Sequence, residues 1–417
     1  MQRRHQKLIE EAPSPAVTPA LRQRMGEIAI AAVKSIHYEG AGTLEFLLDE
    51  AGEFYFMEMN TRLQVEHPVT EAITGLDLVA MQVRVAAGEA LSLSQADVVF
   101  NGHAIEVRLC AEDASQSFLP QSGTLVRWRA GEELRVEHAL SAGIEIAPFY
   151  DSMIAKIISH GDTREEARRK LIRGLAKTVA LGVTTNQSFL SRCLAHPIFA
   201  DGGATTSFIE ANSKALFDVD PKIETLAFAI AAMIFRTAES KHMISERRLT
   251  NSFPASMRLE MNGQLSAATV TEHKGRRFNV ASKETTCEIE LIGISQDVAR
   301  FICEGVDERV IFHRDSVDLD MRYAGNYFKF VDQTLAAPLP LEEKSGDGKI
   351  RASMNGRVAG VLVALGDDVV AGQPMIVLEA MKMEHVHRAA TAGKVTALSA
   401  AVDDQVAARR VIAEVNA

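Results

Sequence analysis

Three groupings in this sequence hold residue types that could do chemistry. The first is Lys382, inside Leu378-Glu-Ala-Met-Lys-Met-Glu-His385. Read alone, it is a surface lysine beside two core methionines, because charged side chains stay solvated and methionines fill cores. The second is a pair of carboxylates. The runs 43–49 and 53–60 read as two strands turning at Glu50–Glu53, with Asp49 opposite Phe54 and Glu45 opposite Glu58. Like charges directly opposite destabilise a sheet. Either the hairpin is frayed or shifted, or a hard cation such as Mg²⁺ binds the facing oxygens. The third is Arg62, Gln64 and Glu66, alternating in an extended segment that ends before Pro68. By itself that alternation describes a solvated edge strand.

The elements that must position these groups follow from patterning. The chain has 417 residues, 47% hydrophobic and 24% charged, which suits two to four globular domains. Its formal charge of −10, from 45 basic and 55 acidic residues, argues against a general nucleic-acid or anionic-membrane binder. Cys110, Cys193, Cys287 and Cys303 are widely spaced and read as free thiols of a reducing compartment. The longest apolar run, 226–235, is too short for a bilayer, and the basic start lacks an apolar signal core. A soluble cytoplasmic protein is the expectation.

Residues 1–212 mix helices and strands: a helix over 21–35, a capping box at Thr163–Glu166 opening a helix to 177, and a helix from Asn186 to 195. Residues 213–337 change texture. A helix over 224–238 precedes strand-like runs at 257–261, 268–272, 277–280, 287–292, 299–304, 309–314 and 327–331, the pattern of a small β-barrel. Residues 338–349, with prolines, glycines and charges, read as a linker. Residues 350–417 contain a repeat. Gly356-Arg-Val358 recurs as Gly393-Lys-Val395, and at the same offset Asp367 falls on Asp404, Val369 on Val406 and Leu378 on Val415. Two such halves predict a flattened β-sandwich with pseudo-two-fold symmetry, and Lys382 sits at the tip of the turn following the first half.

A repeated-half sandwich with Glu-Ala-Met-Lys-Met at that turn resembles the biotin carboxyl carrier domain of biotin-dependent carboxylases. The resemblance implies that Lys382 carries biotin on its ε-amine, attached by biotin–protein ligase. Related lipoyl domains carry Asp-Lys-Ala at the tip, so the flanking methionines favour biotin. Residues 53–71 closely resemble the signature of biotin carboxylase, an ATP-grasp enzyme. That resemblance implies metal ligation (Mg²⁺ or Mn²⁺) by Glu45, Glu58 and Asn60, the two glutamates also contacting ATP. It implies bicarbonate held by Lys7, Arg62, Gln64 and the backbone amide of Val65, with Glu66 as the base. A planar guanidinium suits a planar carbonate, and a neighbouring carboxylate is a sensible proton acceptor. His5 matches a nucleotide contact, and Arg135 matches the arginine that stabilises the biotin enolate. The interval from Glu45 to Glu58 is one residue longer than the family's, which places the difference at the hairpin tip. The middle region is similar to the domain of acyl-CoA carboxylase α-subunits that docks a separate carboxyltransferase β-subunit.

The expected fold class is therefore multidomain α+β: the C-terminal part of an ATP-grasp biotin carboxylase, a small β-barrel with one helix, and a biotinyl-type sandwich. The expected function is ATP- and bicarbonate-dependent carboxylation of biotin on Lys382, then delivery to the β-subunit within a hetero-oligomer. The sequence begins inside the ATP-grasp module, without the glycine-rich lid and phosphate-binding lysines of the family. Phosphoryl transfer depends on such groups, so the expectation is a chain incompetent alone for the first step. The rival reading is a non-catalytic biotin carrier and assembly protein.

Overall fold

The computed structural model describes residues 1–3, 6–239, 253–273, 276–282, 285–336, 348–381 and 383–416. An antiparallel four-stranded sheet organises the N-terminal half, in the order Arg135–His138, Met153–Gly161, His103–Cys110, Ile9–Ala12. Strand alternation separates its two faces. On one, Ile105, Val107, Leu109 and Ile157 form a core with Leu171 and Leu175 of helix Arg164–Lys177 and Phe189 of helix Gln187–Ala195. The other face bears Ala104, Glu106 and Arg108, and helix His67–Thr74 covers it by packing Val69 and Ile73 on Ala104. One face is thus an apolar core, and the opposite one is available for chemistry.

Local signals place the helices, with small departures from the sequence reading. Helix Pro19–Ser35 begins two residues earlier than expected, because the Thr18 hydroxyl accepts from Leu21 N and Pro19 suits the first turn. Thr163 caps helix Arg164–Lys177 through Glu166 N at 3.2 Å, but the return bond of Glu166 goes to Asp162 N at 3.0 Å. Asn186 precedes its helix without capping it. Its amide oxygen accepts from Cys110 N at 2.9 Å and its Nδ2 donates to Arg108 O at 3.1 Å, pinning the central strand.

The acidic hairpin comprises Thr43–Leu48 and Phe54–Asn60. Glu45 does face Glu58. Nearer the tip the register shifts: Phe46 pairs with Phe56 and Leu48 with Phe54, leaving Met57 as a bulge. Asp49 therefore does not face Phe54; its backbone N–H bonds to Glu53 O at 2.9 Å. The longer interval is absorbed inside the second strand and not at the tip. Phe46 meets Phe54 and Phe56 edge-on, at 5.4 and 6.1 Å between ring centroids, which holds the shifted register.

Eight strands, from Ala255–Met261 to Asn326–Asp332, close into a barrel through pairing of the first with the last. Helix Pro221–Glu239 fills it, and residues 227–235 are consecutively buried among Leu259, Phe278, Phe301 and Phe330. A helix apolar all round belongs inside a core. The sequence reading counted seven strands and missed Asp318–Tyr323, whose aspartates and arginine suit strands poorly. Those polar positions face the N-terminal half and not water. Arg322 donates to Leu175 O at 3.1 Å, and burial pulls its guanidinium down to about 10.

The C-terminal unit is two four-stranded sheets. Its halves repeat bond for bond: Val358 N donates to Asp404 O and Val395 N to Asp367 O, both at 2.9 Å. Short strand Asp368–Val369 of one half pairs with Gly393–Leu398 of the other, and Gln405–Val406 pairs back with Gly356–Val361. Ala380 pairs with Met383 across a tight turn. Met381 has φ of 49°, the left-handed conformation that such a turn requires. Its side chain is 5% exposed and packs with Ala111, Leu125, Ile146, Ala180 and Val183 of the N-terminal half. Met381 N also donates to Pro148 O at 3.2 Å, and Asn355 Nδ2 donates to Ser122 Oγ at 2.8 Å. The turn is thus seated on the sheet-bearing unit. The expected linker 338–349 lies mostly outside the described residues.

Candidate active site

The polar side of the sheet, the acidic hairpin and the segment before helix His67–Thr74 converge on one group of charges. Lys7 Nζ lies 2.7 Å from Glu45 Oε1 and 2.6 Å from Glu66 Oε1. Gln64 Nε2 donates to Glu45 Oε1 at 2.5 Å, and Asn60 Nδ2 donates to Glu45 Oε1 at 3.1 Å and Glu58 Oε1 at 3.0 Å. Arg62 reaches Asn60 Oδ1 at 3.4 Å. These residues, apart in sequence, form one connected hydrogen-bond and ion-pair network.

Electrostatics follow from the contacts. Burial works against the Lys7 ammonium, yet its bonds to Glu45 and Glu66 hold it above the ordinary lysine range. Burial likewise works against ionised Glu45, but Lys7 and Gln64 keep it below the usual carboxylate range. Glu66 precedes the first helical residue, and its carboxylate turns away from the helix toward Lys7. Gln64 O lies 2.8 Å from His67 Nδ1, which fixes the peptide joining Gln64 to Val65. In a trans peptide the Val65 N–H points opposite to that oxygen. Lys156 Nζ donates to Val65 O at 3.1 Å and steadies the next peptide.

Arg135 does not touch Glu66. Its guanidinium pairs with Glu71 at 2.6 Å and with Glu137. The arginine beside Glu66 is Arg108, whose Nη2 is 3.0 Å from Glu66 Oε2 and whose Nε is 2.6 Å from Glu10 Oε1. The reading from sequence passed over Arg108. His5 and Lys382 lie outside the described residues. His67, Glu71 and Glu137 come within 4.8 Å of one another. Arg135 and Lys156 already neutralise those two carboxylates, so the cluster is an ion-pair network.

The donor set fits the groups the sequence pointed to. Glu45 and Glu58 offer hard oxygens on facing strands, a donor set of the kind that suits a Mg²⁺-type ion.

This fold defines a class: ATP-grasp biotin carboxylase regions, a closed barrel and a biotin-lipoyl domain in one polypeptide. Residues 1–94 match the family model for the carbamoyl-phosphate synthase L chain, ATP binding domain. Residues 106–211 match the biotin carboxylase C-terminal domain, and residues 348–415 match the biotin-requiring enzyme family. Over nearly all of its length the chain is similar to methylcrotonoyl-CoA carboxylase α-subunits. It is 33% identical over 445 residues to the mitochondrial methylcrotonoyl-CoA carboxylase subunit alpha of Dictyostelium discoideum, covering 99% of this chain and 63% of that protein. Against the mouse counterpart identity is 34%, covering 95% and 58%. Biotin carboxylase 2 of Bacillus subtilis is 50% identical over 212 residues, half of this chain and 48% of that one. The chain thus spans about six-tenths of the longer relatives. Among solved structures, the biotin carboxylase domain of a thermophilic 2-oxoglutarate carboxylase bound to bicarbonate aligns with a TM-score of 0.51 and 46% identity, over 53% of this chain and 50% of that one. Among the described residues, no helix is long and apolar enough to cross a membrane.

Proposed function

We propose that this chain supplies the bicarbonate- and metal-binding part of a biotin carboxylase site, together with the carrier domain for biotin, in a biotin-dependent acyl-CoA carboxylase. The observation that carries the reading is the meeting of Lys7, Glu45, Gln64, Glu66 and Arg108 at hydrogen-bond distance. Lys7, Arg62, Gln64 and the Val65 N–H surround bicarbonate, and Glu66 accepts its proton. The carbonate oxygen so exposed attacks the γ-phosphorus of ATP, and ADP leaves. Glu45, Glu58 and Asn60 would hold a metal ion, which would supply neutralisation of phosphate charge. Arg108 takes the role first given to Arg135, because it lies against the base and Arg135 does not. Lys382 would hold biotin, whose ring nitrogen would be the carboxyl acceptor. Structures similar to this chain support the ligands: one holds bicarbonate, and another holds MgADP, ADP and bicarbonate.

The division at 1–212, 213–337 and 350–417, with a linker at 338–349, belongs to this proposal. So does docking of a carboxyltransferase β-subunit on the barrel unit, supported by the α-subunit relatives. The test of the site is bicarbonate-dependent ATP cleavage in a carboxylase carrying the full length of the relatives' biotin carboxylase region. Glu66→Gln should abolish cleavage while Lys382 remains biotinylated; an active Glu66→Gln variant would overturn the assignment. Co-purification of the full chain with a co-expressed carboxyltransferase, lost on replacing the barrel unit, tests the partner.

A further inference from the structure

Two carboxyls on the polar face of the sheet have no part in that mechanism. Glu10 and Glu106 are register partners on neighbouring strands. Glu106 is 0% exposed, and neither of its carboxyl oxygens has a hydrogen-bond partner. Glu10 gives one oxygen to Arg108 Nε at 2.6 Å, and its other oxygen is buried without a partner. The charges facing Glu106 are spoken for on every side. Arg108, on its own strand, is divided between Glu10 and Glu66. Lys156, on the next strand, binds Glu137 and Val65 O, and Glu137 also binds Arg135. From the helix packed above, Glu71 is taken by Arg135 and Leu78 N, and His67 by Gln64 O. Two carboxylates facing each other in a dry sheet cannot both stay ionised.

We propose that Glu10 and Glu106 work as one unit carrying a single negative charge, a positioning pair that fixes Arg108 and through it sets how strongly Glu66 holds a proton. The catalytic half of this inference rests on Glu66 being the base. Burial, and after it the charge of Glu10, pushes Glu106 up to about 9; burial also pushes Glu10 up. The sign follows. A carboxyl raised in the folded state contributes fully below the ordinary carboxylate range, and that contribution is lost as pH climbs toward 9. Above the ordinary range Glu106 therefore costs stability, and an isosteric amide removes the cost.

Four proteins test the pair: wild type, Glu106→Gln, Glu10→Gln and the double variant. At pH 8 Glu106→Gln should raise Tm by on the order of 2–4 °C, and the gain should vanish at pH 5. In the Glu10→Gln background the gain should shrink, because no second carboxyl remains to repel. Infrared spectra at pH 7 should show a carboxylic-acid carbonyl band that Glu106→Gln removes. A Tm that falls equally at both pH values, or a missing acid band, overturns the pair. For the link to Glu66, Glu10→Gln removes the single charge that offsets Arg108. The acid limb of the carboxylation pH profile should then move to lower pH, and an unmoved limb overturns the positioning role. If instead Glu66→Gln leaves activity intact, the proposed function fails, while the band and the Tm cycle still decide the pair.

Discussion

At the scale of single residues, the two arginines separate catalysis from stability. Arg108→Ala should lower carboxylation by roughly 10²–10⁴-fold in the full-length enzyme, because it deprives Glu66 of a partner 3.0 Å away. Arg135→Ala should act on folding. It strips the largely buried Glu71 of its cation, at about 1–3 kcal/mol, measurable as a lower urea midpoint with kcat nearly unchanged in the folded fraction. An Arg135→Ala enzyme of normal stability and no turnover would reverse the assignment. Lys382→Arg should abolish streptavidin-detected biotin; surviving signal would refute the attachment site. Lys382 was legible through its flanking methionines and the repeat around it. Arg108 was not. Its tie to Glu66 spans a strand and a helix, and nothing local in His103–Cys110 marks one arginine as facing a distant carboxylate.

Elements bring their own consequences. Met57 is half exposed and unpaired in the hairpin bulge, so deleting it should restore regular pairing and keep Glu45 opposite Glu58. The expected change in stability is within about 1 kcal/mol, and Mg²⁺-dependent ATP binding in the full-length enzyme should persist. Loss of Mg²⁺ dependence would mean the bulge itself aims Glu58. At the edge of the sheet, Glu11 binds Arg164 Nε at 2.6 Å and His103 Nε2 at 2.9 Å, tying strand Ile9–Ala12 to helix Arg164–Lys177. Burial opposes ionised Glu11, but these partners hold it below the ordinary carboxylate range. Its contribution is present above that range and fades as pH falls through the lowered value. Glu11→Gln should accordingly cost about 1.5–3 kcal/mol near pH 7 and much less near pH 3, read by denaturant unfolding. The acidic hairpin pairing was readable because both strands are short and adjacent. The bulge was not, since it depends on how Phe46, Phe54 and Phe56 pack. The eighth barrel strand hid for a different reason: Asp320 and Arg322 are polar because they meet another unit, and sequence patterning takes such positions for water-facing turns.

On the scale of the whole molecule, the carrier unit rests on the unit that holds the charged cluster: Met381 packs into that unit, Leu119 packs into the carrier core, and hydrogen bonds from Met381 N and Asn355 join them. Met381→Ser should release it, seen as a larger radius of gyration in X-ray scattering with biotinylation intact. An unchanged radius would place the contact elsewhere. The repeat in the last residues foretold the sandwich, but no repeat or period says where a finished domain will settle. That is decided by surface shape, which sequence order does not encode. The seat has a consequence for occupancy. Two sites on one polypeptide meet at an effective concentration in the millimolar range, so a dissociation constant of about 1 mM, roughly −4 kcal/mol, already gives half-time residence. Burying one methionine contributes about 1.5–3 kcal/mol of that. The Met381 plug is therefore sized for dwell and departure: a phenylalanine at 381 would lengthen each visit and a serine would shorten it.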